Sequence, residues 1–152
     1  MPGPASDTLI TTADSTFRGA QETIEYLEAL TWSFMEAHNR RDVEFMRRAD
    51  FLSPSWTAAL EHNKPKPSYL EEHIQEHYRL VELFPDRICR WLDASTSLDL
   101  EHGLATVYIN MELTGSPPGV VHTGIVLYEW QLVQQKWVCV KMIGMRGSGD
   151  SK

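Results

Sequence analysis

Three long period-two patterns stand in a row in the last third of the chain, after a half that reads almost wholly as helix. They are GLATVYINMELTG, VVHTGIVLYEWQLV and KWVCVKMIGMRG, spanning Gly103 to Gly147. Segments this long, with apolar residues on both faces, do not suit a flat, minimal sheet. They predict a curved sheet wrapped around something. A fourth strand pattern runs from about Arg87 to Asp99, and turns are marked by Glu101-His102-Gly103, by Gly115-Ser116-Pro117-Pro118-Gly119 and by Gln134-Gln135. Consecutive hairpins give an antiparallel meander of strands over residues 87–99, 104–114, 120–133 and 136–146.

The helical half is equally periodic. Between Glu22 and Asn39, Ile24, Leu27, Leu30, Phe34 and Met35 recur at helical spacing and place Thr31 and His38 on the same stripe. Asp42 is placed to cap a short second helix over Asp42 to Arg48. Leu52-Ser53-Pro54 breaks it, and Ser55 to Leu60 predicts a short strand containing Trp56. Ser68, with Glu71 three residues on, makes a capping box for a third helix from Tyr69 to about Phe84, ended by Pro85. Leu70, Ile74, Val81 and Phe84 form its stripe, with His77 inside it by angle and His73 at its edge.

At 152 residues the chain is read as one domain over residues 21–147, with a Pro-, Gly- and Ser-rich arm over 1–20 and a tail over 148–152. The formal net charge of −7, without any long Lys/Arg cluster, argues against nucleic acid as a partner. No apolar run is long enough for a membrane span and the first residues do not form a signal peptide, so a cytoplasmic protein is expected. Cys89 and Cys139 fall inside strand patterns and are read as reduced core residues.

Two helices, a short strand, a third helix and four antiparallel strands, with LTG-x-P-P-G between two of them and Tyr128-Glu129-Trp130 ahead of Lys136-Trp137, resemble the nuclear transport factor 2-like superfamily, SnoaL-like branch. The resemblance covers about residues 20 to 147. It implies an α+β cone, in which a strongly bent antiparallel sheet and three helices on its concave face enclose a pocket. It also implies a homodimer through the outer sheet face. Ketosteroid isomerase, scytalone dehydratase, polyketide cyclases, limonene-epoxide hydrolase and non-catalytic transport factors share this architecture, so fold alone does not fix function. The short loops and the Ser-Pro-Pro-Gly hairpin also resemble small natural-product tailoring proteins.

Matching the Tyr128-Glu129-Trp130 strand to its counterpart in ketosteroid isomerase and scytalone dehydratase puts Val126 at an inward position where those families carry Asp or Asn. His122, Gly124 and Tyr128 then face inward with it. On the preceding strand, Thr106, Tyr108, Asn110 and Glu112 are taken as the inward set. The opposite set, Ala105, Val107, Ile109, Met111 and Leu113, would make an ordinary core, and a dimer interface on the outer face would reconcile the two. By the same resemblance, His38-Asn39 stands where scytalone dehydratase has an acid–base Tyr-Asp pair, and Phe34 near the oxyanion tyrosine of ketosteroid isomerase. Neither mechanism transfers intact, which leaves a histidine suited to moving protons.

His73-Ile74-Gln75-Glu76-His77 matches the inverted zinc-protease motif H-x-x-E-H, but that motif belongs to much larger folds and needs a third ligand. It is read as a solvated helix edge plus a pocket-lining His77, with no metal. No nucleotide-binding or nucleophile motif occurs, and no cofactor is expected. The expected function is a cofactor-independent isomerase, dehydratase or cyclase acting on a small hydrophobic molecule, polycyclic ones included. His38 or His122 would shuttle a proton, with Tyr108 and Asn110 holding an oxyanion. Phe34, Trp56, His77, Val126 and Tyr128 would complete the pocket. The alternative is a non-catalytic ligand-binding or dimeric scaffold protein of the same fold.

Overall fold

The computed structural model describes residues 19–60 and 66–146. Its elements are α1 (Ala20–Asn39), α2 (Val43–Arg48), β1 (Leu52–Leu60), β2 (Ser68–Tyr69), α3 (Leu70–Leu83), β3 (Ile88–Asp99), β4 (Leu104–Thr114), β5 (Val121–Val133) and β6 (Lys136–Arg146). The expected arm and tail lie outside the described residues, except at Gly19 and Ala20, where α1 already begins.

One curved, unclosed sheet carries all six strands in the order β2-β1-β6-β5-β4-β3. Strands β3 to β6 form the expected antiparallel meander. The sheet is not wholly antiparallel, because β1 returns after α1 and α2 to lie parallel to β6. Three register shifts interrupt its ladders, one of them between Leu52 and Thr57 where β1 meets β6. Register shifts at Trp91/Asp93 in β3 and at Glu129/Trp130 opposite β6 each insert an extra residue, which raises local twist and flips the inward set. Hence β6 buries Trp137 and Cys139 before the shift and Met142 after it.

The helices cover the concave face through the periodicity of their own sequences. Thr23, Leu27, Thr31, Phe34, Met35 and Ala37 form the buried side of α1. The Thr31 hydroxyl is kept out of trouble by donating to the Leu27 carbonyl at 2.8 Å. The Asp42 side chain accepts from the Phe45 N–H at 3.0 Å and so caps α2 as expected. The cap of α3 sits one residue later than the Ser68–Glu71 reading. Glu72 accepts from the Tyr69 N–H at 2.9 Å, while Ser68 pairs with Ala58 in β2 and Glu71 bonds Arg47 at 2.7 Å.

Sheet register corrects the choice of face on β4. Directly opposed residues of an antiparallel ladder share a face, and Val107 stands opposite Tyr128, Ile109 opposite Val126. Val107 and Ile109 are fully buried, so the apolar set looks inward. Tyr108 and Asn110 point outward, and Asn110 donates to Asp93 on the outer face at 2.7 Å. Burying each large aliphatic side chain is worth about 1.5–3 kcal/mol, and the polar set offered nothing comparable.

Candidate functional site

Along β5 the inward side chains shrink from Trp130 through Tyr128 and Val126 to Gly124, and the space they leave is a cavity. Its volume is about 290 Å³, near the small end of ligand pockets, and it is open on one side among the described residues. Met35, Leu80, Met111, Leu113 and Met142 supply apolar wall. The polar groups collect at one end, where the last turn of α1, the middle of α3 and the start of β3 meet.

Two helices bring three imidazoles together there. His38 stands on the last turn of α1, and His73 and His77 stand one turn apart on α3. His38 Nε2 lies 2.8 Å from His73 Nε2, and the His38 ring centroid is 5.0 Å from that of His77. His38 Nδ1 is 2.9 Å from the Phe34 carbonyl, which can only accept, so this nitrogen carries a hydrogen. In the neutral pair His38 Nε2 is then the acceptor, and the His73 Nε2–H donates to it. Trp56 backs the arrangement, 5.3 Å from the His73 ring and 5.6 Å from Phe34.

Burial and repulsion from neighbouring groups disfavour charge on His38 and His77. Burial is the main cause that drives the His38 pKa well below the ordinary value, with His73 next and His77 and Arg87 adding to it. His77 is pushed down to about 4, again chiefly by burial, then by Arg87 and Arg41. Its Nε2 is buried without a hydrogen-bond partner. Burial also raises the Tyr128 hydroxyl well above the ordinary tyrosine value, so Tyr128 stays protonated. Among the described residues, no group of three or more His, Cys, Asp or Glu side chains is spaced to hold a metal ion.

The framework is tied by backbone-directed side chains. The Asn39 amide donates to the Cys89 carbonyl at 2.8 Å and accepts from the Cys89 N–H at 2.9 Å, which fastens α1 to edge strand β3. Gly115, at φ +80°, packs so closely on the Asp86 carbonyl that a Cβ would overlap it. That contact sets the β4–β5 turn against the start of β3. His122 lies on this rim, its Nε2 donating to the Ser116 carbonyl at 3.1 Å.

Of the residues expected from sequence, His38, His77, His122, Val126 and Tyr128 line the cavity. Phe34 and Trp56 are sealed behind the histidines, each 1 % exposed, and support the wall rather than face the cavity. Tyr108 and Asn110 are on the other side of the sheet. His73 is the residue that the sequence reading set aside. It is 7 % exposed rather than solvated, and the i, i+4 spacing from His77 was the available signal. Arg41 and Arg87 also line the cavity and had no sequence signal of their own.

No family model and no curated protein sequence matches the chain. Solved structures do. A protein from Streptomyces avermitilis, proposed to be a dehydratase of the nuclear transport factor 2-like family, superposes with a TM-score of 0.68 at 13 % identity, over 85 % of this chain and 99 % of its own. A nuclear transport factor 2-like protein of unknown function from Pseudomonas putida superposes with a TM-score of 0.67 at 8 % identity, over 83 % and 87 %. This chain has the nuclear transport factor 2-like fold. A proposed polyketide cyclase from Sinorhizobium meliloti shares it with a TM-score of 0.55 at 8 % identity, over 77 % and 94 %. Within this nuclear transport factor 2-like fold, the half-buried His38 and the buried His73 and His77 occupy the end of the cavity that the taper of β5 leaves open.

Proposed function

We propose that the protein is a cofactor-independent enzyme of the SnoaL-like kind, using acid–base chemistry to isomerise, dehydrate or cyclise a small hydrophobic molecule, as in natural-product tailoring. The observation that carries this reading is the 2.8 Å contact between His38 and His73 in the wall of an open apolar cavity. Solved proteins of this fold include a proposed dehydratase and a proposed polyketide cyclase, which supports the same class of chemistry.

His38 Nε2, exchanging the His73 N–H for the substrate, takes a proton from a carbon next to a substrate carbonyl, leaving an enolate in the cavity and a His38 imidazolium. The imidazolium formed beside it is stabilised by that new anion, which offsets the low basicity caused by burial. Tyr128, kept protonated, is the hydrogen-bond donor for the enolate oxygen, in place of the expected Tyr108 and Asn110. The proton then returns to another carbon in isomerisation, or to a leaving hydroxyl in dehydration.

The test needs no natural substrate. Proton abstraction from 1-tetralone in D₂O is followed by NMR as loss of the signal from the hydrogens beside its carbonyl. The wild-type protein is expected to accelerate exchange, and His38→Asn to lose about 10²-fold or more of that acceleration. Tetralone binding without acceleration would replace the enzyme with a ligand-binding protein of the same fold.

A homodimer belongs to the same reading. The outer sheet face exposes Leu104 and Tyr108 beside Ile125 and Leu127, an apolar strip suited to a second copy. Sedimentation of only a 17.4 kDa species at micromolar concentration would contradict it. No helix among the described residues is long and apolar enough to cross a membrane, and the free cysteines Cys89 and Cys139 fit a cytoplasmic setting.

A further inference from the structure

The protein carries a formal net charge of −7, yet one end of its cavity is cationic. Arg41 and Arg87 both reach the wall there. The Arg41 guanidinium is spent on backbone carbonyls, donating to Pro85 at 2.9 Å and Arg87 at 2.8 Å, and also to His38 and Asn39. These bonds satisfy its N–H groups but leave its charge uncancelled. They also hold the start of β3, and with it Arg87, against the end of α1.

Arg87 is half-buried, and its Nε is closed to solvent with no hydrogen-bond partner among the described residues. Burial lowers its pKa, and Arg41 adds to that, while Cys89 and Glu76 act in the opposite sense. The guanidinium remains charged in any protein setting. The Cys89 thiol, raised to about 11 by burial, supplies no counter-charge at neutral pH. Glu76 is the carboxylate of the wall, and it is bound to Arg79 at 2.6 Å and 3.1 Å. His38 and His77 are held neutral by burial. A partly desolvated cation without a counter-charge is costly, and native structures retain such groups where an outside partner meets the charge.

We propose that the cavity takes a hydrophobic molecule bearing a carboxylate, whose oxygens dock on Arg87 while its apolar body lies along Met35, Met111, Val126 and Met142. The guanidinium fork matches a carboxylate in charge and in geometry. This inference rests on the cavity being a ligand site, but it does not require that the ligand react.

The carboxylate does more than anchor. It offsets the positive field that Arg87 imposes on His38 and that Arg87 and Arg41 impose on His77, so both rings become more basic when it binds. His73 and Glu76 on α3, and His122 and Tyr128 on β5, are the other ionisable groups of the cavity among the described residues. A substrate carboxylate therefore prepares the histidines for proton transfer, and a neutral analogue does not.

The experiment compares 2-naphthoate with methyl 2-naphthoate, which has a similar body without the charge, by calorimetry on the full chain. Wild type is expected to bind the acid at least about tenfold more tightly than the ester. Arg87→Gln removes that preference while keeping ester affinity, and Arg87→Lys keeps part of it. A wild-type measurement guards against a variant that does not fold. Histidine ring NMR should show the His38 and His77 pKa values rising with 2-naphthoate bound and not with the ester. Equal affinity for the two ligands in wild type, or a preference that survives in folded Arg87→Gln, overturns the inference and leaves the cavity reading standing. Binding of neither ligand contradicts both. Failure of the tetralone exchange leaves this preference to be judged on its own.

Discussion

The sealed base of the cone and its open end are built from the same helices and strands, yet they hold opposite kinds of side chain. At the base, Leu27, Phe51, Trp56, Trp130 and Trp137 are all 8 % exposed or less, and the rings of Phe34, Phe51, Trp56 and Trp130 meet at centroid distances of 5.6 to 6.4 Å. One turn further along α1, and two to four residues back along β5, the fill is replaced by imidazoles, guanidinia and space. The difference teaches that burial here serves two ends. At the base it is the source of stability, and at the open end it holds titratable groups in states that water would not allow.

The largest expected effect breaks the base. Trp130→Ala should cost about 3–5 kcal/mol in denaturant unfolding, since nothing can collapse into the site from a closed aromatic cluster. A loss under about 1 kcal/mol would mean that the base is not the stabilising half. Filling the open end should do the reverse. Val126→Phe is expected to abolish binding of two-ring ligands in calorimetry, while stability changes by about 1–3 kcal/mol from overpacking. Asn39→Ala removes both bonds to the Cys89 backbone and should cost about 1–3 kcal/mol, with faster amide exchange confined to β3.

The histidine part of the pH dependence of stability belongs to the open end. His77 is held at about 4 in the folded chain against an ordinary value of 6.5, and His38 is shifted in the same direction. The unfolded chain therefore takes up these protons first as the pH falls. Their stabilising contribution is complete above about pH 6.5 and is lost towards pH 4, by at most about 1.4 kcal/mol per pH unit for each ring. His77→Asn should flatten that slope, as read from urea midpoints across the range. The smallest effect is expected outside the cone: Tyr108→Phe should leave tetralone exchange unchanged and stability within about 0.5 kcal/mol.

Much of this architecture was legible in the sequence because periodicity reports local burial. The stripe on α1 and the meander follow from spacing, and the inward set His122, Gly124, Val126 and Tyr128 follows from alternation once the family resemblance places Val126 inward. The face of β4 did not, because alternation gives two sets without saying which one is in. That choice is made by hairpin register, and here it is set by the six-residue turn between Thr114 and Val121. The shifts in β3 and β6 were invisible for a related reason, since an inserted residue reverses parity without any signature of its own. His73 was misjudged because helical angle alone placed it at the edge of α3. Packing of α1 and Trp56 against that edge buries it, and a long-range contact of this kind leaves no trace in local pattern.

The account rests on a hydrogen-bonded histidine cluster in which His38 and His77 are neutral, and ¹⁵N NMR of the imidazole rings observes it directly. At pH 7, His38 is expected as the neutral Nδ1–H tautomer, with coupling across the Nε2 pair to His73; His77 should protonate only near pH 4, and His38 well below the ordinary imidazole range. Ordinary titration of His38 and His77 near pH 6.5, with no coupling between His38 and His73, would contradict it.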